Sequence, residues 1–211
     1  MPMPIEERRT ALRRLREGAV LLYRTFADAK FDLLNGVDTS GYIPAEDLGT
    51  GNSAHPYQAS PERKILSAIR SLPIDHGAFT FIDLGSGKGR VLVVAARFKF
   101  RQIIGVEISE PLCRIAVENT RRFPSVSVVA CDAGTYKVPP GSCVIYLGNP
   151  FEGNIMEAVL RNVEKRQEQD RSPIYLVYLV PEFRRLLDEA QFLEQIPSPD
   201  HCPVYVTRNS F

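Results

Sequence analysis

Phe79-Thr80-Phe81-Ile82-Asp83-Leu84 is an apolar run that ends in a carboxylate and passes at once into Gly85-Ser86-Gly87-Lys88-Gly89-Arg90. Val91-Leu92-Val93-Val94-Ala95-Ala96 follows and reads as a buried helix. Glycines at three alternate positions open backbone angles closed to other residues and let a ligand approach the main chain. The N–H groups at the start of the following helix face the same place. A strand, a glycine turn and a helix in this order form the first unit of an α/β fold built around a nucleotide-type ligand.

The chain repeats that beat. Gln102-Ile103-Ile104-Gly105-Val106-Glu107 is a second apolar strand ending in an acid, 24 residues after Asp83, the length of one strand and one crossover helix. Val126-Ser127-Val128-Val129-Ala130-Cys131 is a third, and Asp132 lies 25 residues beyond Glu107. Three acids at the carboxyl ends of successive parallel strands point to one crevice, the edge where open α/β sheets bind ligands.

The turn's spacing discriminates among ligands. A phosphate-cradling loop needs G-x-x-x-x-G-K-[ST], which no window supplies. A dinucleotide fingerprint needs a small residue where counting from Gly85 puts Arg90, whose side chain disfavours NAD or FAD. What stands is D-x-G-x-G-x-G, which resembles motif I of class I S-adenosylmethionine (SAM) methyltransferases. That resemblance covers residues 61 to 211 and implies a Rossmann-like seven-stranded, mostly parallel sheet with helices on both faces and an antiparallel C-terminal hairpin. It also implies SAM as cofactor, with Asp83, Gly85, Ser86, Gly87 and Gly89 at its methionine end, Glu107 on the ribose and Asp132-Ala133 at the adenine. The Asp-Leu-Gly-Ser-Gly-x-Gly-Arg turn and Gly105-Val106-Glu107 look most like the non-SET protein-lysine methyltransferases and uncharacterised bacterial relatives.

A fourth strand, Cys143-Val144-Ile145-Tyr146-Leu147-Gly148, runs into Asn149-Pro150-Phe151. In the resembled class this position lies next to the transferred methyl, and enzymes acting on nitrogen often carry Asn/Asp-Pro-Pro-Tyr/Phe there. This chain has one proline rather than two. An Asn oxygen can accept a hydrogen bond from a nitrogen nucleophile and aim its lone pair, and an aromatic ring can pack against the methyl. Asn149, Pro150 and Phe151 are the candidate catalytic residues. The same tripeptide also fits a strand end and turn without chemistry.

Charge and composition exclude several classes. A net charge of +1 over 211 residues gives no whole-molecule field that would recommend nucleic acid as a partner. No apolar run approaches a membrane span, and no signal-peptide pattern opens the chain. Cys113, Cys131, Cys143 and Cys202 form no C-x-x-C pair and read as small buried hydrophobes in a reducing compartment, which implies the cytoplasm. Neither they nor His55, His76 and His201 have the spacing of metal ligands.

Residues 1 to 60 precede the core. Ile5, Leu12, Leu15, Ala19, Leu22 and Phe26 recur at helical intervals, with Arg8, Arg9, Arg13, Arg14 and Arg16 on the other side among Glu6, Glu7 and Glu17. The expectation is an amphipathic helix packed on the core through its apolar stripe, with a solvated charged face. Asp28 to Ser60 shows little periodicity and reads as a long loop at the place where many SAM enzymes close over their ligands. Asp38, Thr39, His55 and above all Tyr57 are its candidate lid residues.

Beyond Phe151 the pattern gives a helix through Ile155, Val159, Leu160 and Val163 with a solvated charged end at Lys165–Arg171. A buried strand at 174–180, a helix opened by Pro181, and a hairpin of 192–196 with 204–207 complete the chain. The expectation is a methyltransferase acting on a nitrogen of a protein or small molecule. A SAM-binding module without turnover and a nicotinamide oxidoreductase remain open.

Overall fold

The structure is a computed structural model that describes residues 5–50, 55–148 and 151–208. A long helix, α1 (Ile5–Asn35), leads through two short strands, β1 (Tyr42–Ile43) and β2 (Tyr57–Gln58), to α2 (Glu62–Arg70). The repeating part follows as β3 (Thr80–Leu84), α3 (Arg90–Ala95), β4 (Gln102–Glu107), α4 (Glu110–Thr120), β5 (Val126–Ala130), β6 (Cys143–Leu147), α5 (Gly153–Gln169) and β7 (Ile174–Tyr178). A short α6 (Arg184–Asp188) then precedes the hairpin β8 (Leu193–Ile196) and β9 (Val204–Thr207).

The seven-stranded sheet has the order β5-β4-β3-β6-β7-β9-β8. β5, β4, β3, β6 and β7 pair in parallel, and β9 lies antiparallel between β7 and β8, as the hairpin reading expects. β3 has β4 on one side and β6 on the other, so the chain reverses its direction of sheet growth there, and the carboxyl ends of these strands border a crevice. Each strand splits its residues between two cores because successive side chains point to opposite faces. Phe81, Val144, Tyr146 and Val177 join α2 and α3, whereas Ile82, Leu84, Ile145, Leu147 and Leu176 join Met156, Val159 and Val163 of α5. Strands covered on both faces read as the continuous apolar runs seen in the sequence.

Three expectations change. α1 continues nine residues past Phe26, and the segment behind it is tied into β1, β2 and a 3₁₀ turn at Ala45–Leu48, so it is not a structureless loop. The part of the apolar stripe that is described does not pack on the core, since Leu22 and Phe26 are 74% and 70% exposed, while the side chains of Ile5, Leu12 and Leu15 lie outside the described ones. The helix instead docks through its opposite face. Phe31 is buried at 3%, Arg24 donates to the Ala59 carbonyl at 3.3 Å, and Asp28 pairs with Arg90. Arg166, in the charged end of α5, is buried as well. It donates to the carbonyls of Pro139, Gly141 and Asp170 and so closes the 139–141 loop onto the helix. Among the described residues, no helix is long and apolar enough to cross a membrane.

Phe31 is the apolar anchor of α1, so Phe31→Ala should lower stability by about 3 kcal/mol, read as a fall in the urea midpoint. Lys30→Ala, on an exposed neighbour, should stay within about 0.5 kcal/mol of the parent. Equal midpoints for the two variants would mean that α1 is not held by this contact.

Candidate cofactor and acceptor site

The turn after β3 is held by the strand beside it. Gly85 N–H and Ser86 N–H both donate to the Val106 carbonyl, at 2.8 and 3.0 Å, and Gly89 N–H donates to the Ser86 carbonyl at 2.9 Å. Gly87 N–H donates to Glu107 Oε2 at 2.8 Å, and the other oxygen of Glu107 accepts Ser109 N–H at 2.8 Å. These four turn amides are therefore consumed within the protein, not presented to a phosphate. Gly105 explains the Gly-Val-Glu of β4, since a Cβ there would lie 2.8 Å from Ser86 Oγ.

A cavity of about 110 Å³ opens at this edge of the sheet. Tyr57, Asp83, Gly85, Ser86, Gly87, Glu107, Asp132, Ala133 and Phe151 all line it. Gly89 does not. It starts α3 in the left-handed conformation (φ 85°), and a Cβ would press on Ala116 of α4 at 3.3 Å. Asp132 accepts Gly134 N–H at 2.8 Å, which fixes the bend after β5. Asn149 and Pro150 lie outside the described residues.

Asp83 and Glu107 are both buried, at 2% and 6% exposure. Burial drives the Asp83 carboxyl well above the usual carboxylate range, and the Glu107 charge adds to it. Burial also raises Glu107, while the amides of Ser109, Gly87 and Ile108 pull it back in part. The turn's two cations pair with the amino-terminal segment, although Arg90 also lines the cavity. Lys88 Nζ reaches Asp38 at 3.0 Å and the Ser40 carbonyl at 2.9 Å, and Arg90 pairs with Asp28 and Asp32. Three buried polar atoms around the cavity lack a hydrogen-bond partner of good geometry: Asp83 Oδ2, Ser86 Oγ and, beside Ser60, the Tyr146 hydroxyl. Orphaned groups of this kind fit a polar, cationic ligand. An ammonium, a sulfonium and ribose hydroxyls suit them, so the residues present fit SAM.

The lid candidates form one network over the turn. Tyr57 donates to the Thr39 carbonyl at 2.6 Å and lies so close over Gly87 (φ 53°) that a Cβ there would overlap its ring at Cε2 and stand 2.6 Å from Cδ2. Thr39 accepts from Arg90 Nε at 2.8 Å and donates to Asp32 at 2.6 Å. Burial alone would raise Asp32, but hydrogen bonds from Ser40 and Thr39 outweigh it and hold that carboxyl below its usual value. Asn119 of α4 ties the carbonyls of Asp38 and Lys88 together at 2.8 and 2.9 Å. His55 reaches Glu152, the residue before α5, at 3.1 Å.

Sequence reasoning missed Arg90, Lys88, Ser60 and Tyr146. Parallel register could have found Tyr146, because Asp83 pairs with it across β3 and β6, which puts both side chains on one face. A second cleft, of about 700 Å³, shares His55, Pro56, Ser60 and Gly148 with the first cavity and is walled by Val20, Tyr23 and Asp28 of α1.

Known proteins agree with this geometry. A family model described as Histone methylation protein DOT1 matches residues 64–130, about a third of the chain. No curated sequence matches. Among solved structures, a SAM-dependent methyltransferase from Aquifex aeolicus superposes with a TM-score of 0.50 at 13% identity, covering 70% of this chain and 93% of its own. The N-methyltransferase NodS from Bradyrhizobium japonicum WM9, in complex with S-adenosylhomocysteine, gives 0.51 at 13% identity, covering 71% and 86%. The fold is the Rossmann-like fold that these SAM-dependent methyltransferases have.

Two consequences can be measured. Gly87→Val should displace Tyr57 and weaken SAM binding by an order of magnitude or more, and unchanged affinity in titration calorimetry would place the ligand elsewhere. Asp83→Asn should stabilise the ligand-free protein at pH 7. Below the ordinary carboxylate range near pH 4, Asp83 is protonated in both states and costs nothing. As pH rises, the unfolded chain loses this proton first, so native stability is lost up to the raised native value. The advantage of Asp83→Asn in urea midpoint should therefore shrink as pH falls toward about 4. A gain independent of pH would contradict the ionic cause.

Proposed function

We propose that the chain transfers the methyl group of SAM to a nitrogen, with a protein lysine as the acceptor class. The observation that carries this reading is the pair of buried carboxylates, Asp83 and Glu107, set at the sheet's switch point, while Arg90, which lines the same cavity, is paired with Asp28 and Asp32 instead. A cationic cofactor supplies that charge, whereas the consumed turn amides and Arg90 argue against a dinucleotide. Asp83, Gly85, Ser86 and Gly87 would hold the methionine end, Glu107 the ribose hydroxyls, Asp132 and Ala133 the adenine side, with Tyr57 as the cover. When bound, SAM supplies a methyl group activated on a sulfonium.

The chain's own contribution is position and exclusion of water. The 700 Å³ cleft offers the acceptor a way in. Phe151, buried and lining the cavity, gives an apolar wall. Asn149 would accept a hydrogen bond from the acceptor nitrogen and aim its lone pair. Passing through a cleft that excludes water lowers the pKa of an amine by desolvation, which favours the neutral nucleophile. The histone-methylation family match supports lysine as the acceptor. Free thiols at Cys113, Cys131, Cys143 and Cys202 support a reducing compartment, the cytoplasm.

Labelled SAM incubated with lysine-rich proteins tests this. Base-stable methyl-lysine in the hydrolysate is expected, and Asn149→Ala should bind SAM as the parent does while transfer falls by about a hundredfold. Label recovered on oxygen or sulfur would overturn nitrogen specificity. Loss of SAM binding in Asn149→Ala would make Asn149 a structural residue.

A further inference from the structure

Asp83 stands between two hydroxyls. Its register partner on β4 is Gly105, and the Ser86 side chain fills the space that a Cβ on Gly105 would need, with Oγ 2.8 Å from that point. Its partner on β6 is Tyr146, which parallel pairing sets on the same face. All three side chains are buried and line the cavity, and Ser86 Oγ, Asp83 Oδ2 and the Tyr146 hydroxyl lack a hydrogen-bond partner of good geometry. Ser60 sits beside Tyr146, since a Cβ on Gly148 would touch Ser60 Oγ at 3.5 Å and the Tyr146 ring at 3.8 Å. A buried phenol without an acceptor has given up its bond to water for nothing. Burial, with Cys202 and Asp83 adding to it, pushes the Tyr146 phenol well above its ordinary value, so the group keeps its proton at neutral pH.

We propose that the Tyr146 hydroxyl, with Ser60 beside it, donates to the α-carboxylate of the cofactor's methionine part. The inference rests on the SAM reading above. Strand order sets the direction of the ligand. With the adenine side at Asp132 after β5 and the ribose at Glu107 of β4, the methionine end falls over β3 and β6. Asp83 answers the ammonium there, and the carboxylate beside that ammonium has to avoid both acids. On the Ser86 side it would approach Glu107. Tyr146 lies two strand spacings from β4, about 10 Å away. The cations of the turn already have partners, Lys88 in Asp38 and Arg90 in Asp28 and Asp32. A neutral donor is what remains, and a hydrogen bond to an ionised acceptor is about twice as strong as one between neutral groups. Tyr146 is thereby a specificity-determining residue, which makes the site select a ligand with an amino-acid end and not adenosine alone.

Titration calorimetry with SAM and with decarboxylated SAM, which keeps the ammonium and the sulfonium, tests the proposal. The parent should prefer SAM by about tenfold or more, and Tyr146→Phe should lose about tenfold in affinity for SAM while binding decarboxylated SAM as the parent does. Ser60→Ala should narrow the preference in the same direction and by less. Tyr146→Phe keeps the ring and removes only an unpartnered hydroxyl, so the ligand-free variant should unfold at a urea midpoint no lower than the parent's. A lower midpoint would mean that the hydroxyl has its partner inside the protein, which would overturn the proposal. Equal affinity of the parent for the two ligands, or an equal loss for both in Tyr146→Phe, would overturn it too and leave the cofactor reading standing. A parent that binds neither ligand would overturn that reading and this inference together.

Discussion

Glu107 is the constraint on which the site depends. It ends β4, yet its carboxylate takes the amide of Gly87 across the strand boundary and the amide of Ser109 at the start of its own crossover. One buried acid thereby fixes the shape of the glycine turn and the direction of the next connection. Once the turn is fixed, Lys88 and Arg90 take their partners from the amino-terminal segment, which gathers around them. The arrangement leaves two carboxylates facing one cavity. Glu107 is answered by amides, but Asp83 Oδ2 is buried without a hydrogen-bond partner, which is unfavourable, and a protein retains such a group where a ligand completes it.

The parts legible in the sequence were those whose signal is local. β3, β4 and β6 are buried on both faces, so their runs are apolar throughout, and their terminal residues announce the sheet edge. The hairpin of β8 and β9 was legible from two short runs and the prolines between them. Tyr146 was hidden because a tyrosine inside an apolar run looks like any other core residue. Its hydroxyl acquires meaning only when β6 is set beside β3.

The amino-terminal region was misread for a different reason. Its contacts span distances along the chain that no local pattern records, with Arg90 meeting Asp28 62 residues away and Thr39 51 residues away. An arginine that seemed only to spoil a dinucleotide fingerprint is the residue that fastens α1 and the lid segment to the cofactor turn. Arg166 gives a second case. It sits in a run of charges that reads as solvated, and it is buried because four carbonyls need its donors. In the apolar stripe of α1, Leu22 and Phe26 were read as contacts with the core and are exposed instead.

Among the described residues the sheet edge presents two buried acids whose neighbouring cation, Arg90, is paired elsewhere, and a cationic cofactor follows from that. Titration calorimetry of the purified chain with SAM, with S-adenosylhomocysteine and NAD alongside, tests that claim most directly. Binding of both sulfur ligands at micromolar concentrations with no heat from NAD is the predicted result. Binding of NAD with no heat from SAM would contradict it, because the two carboxylates would then be facing a ligand they should repel.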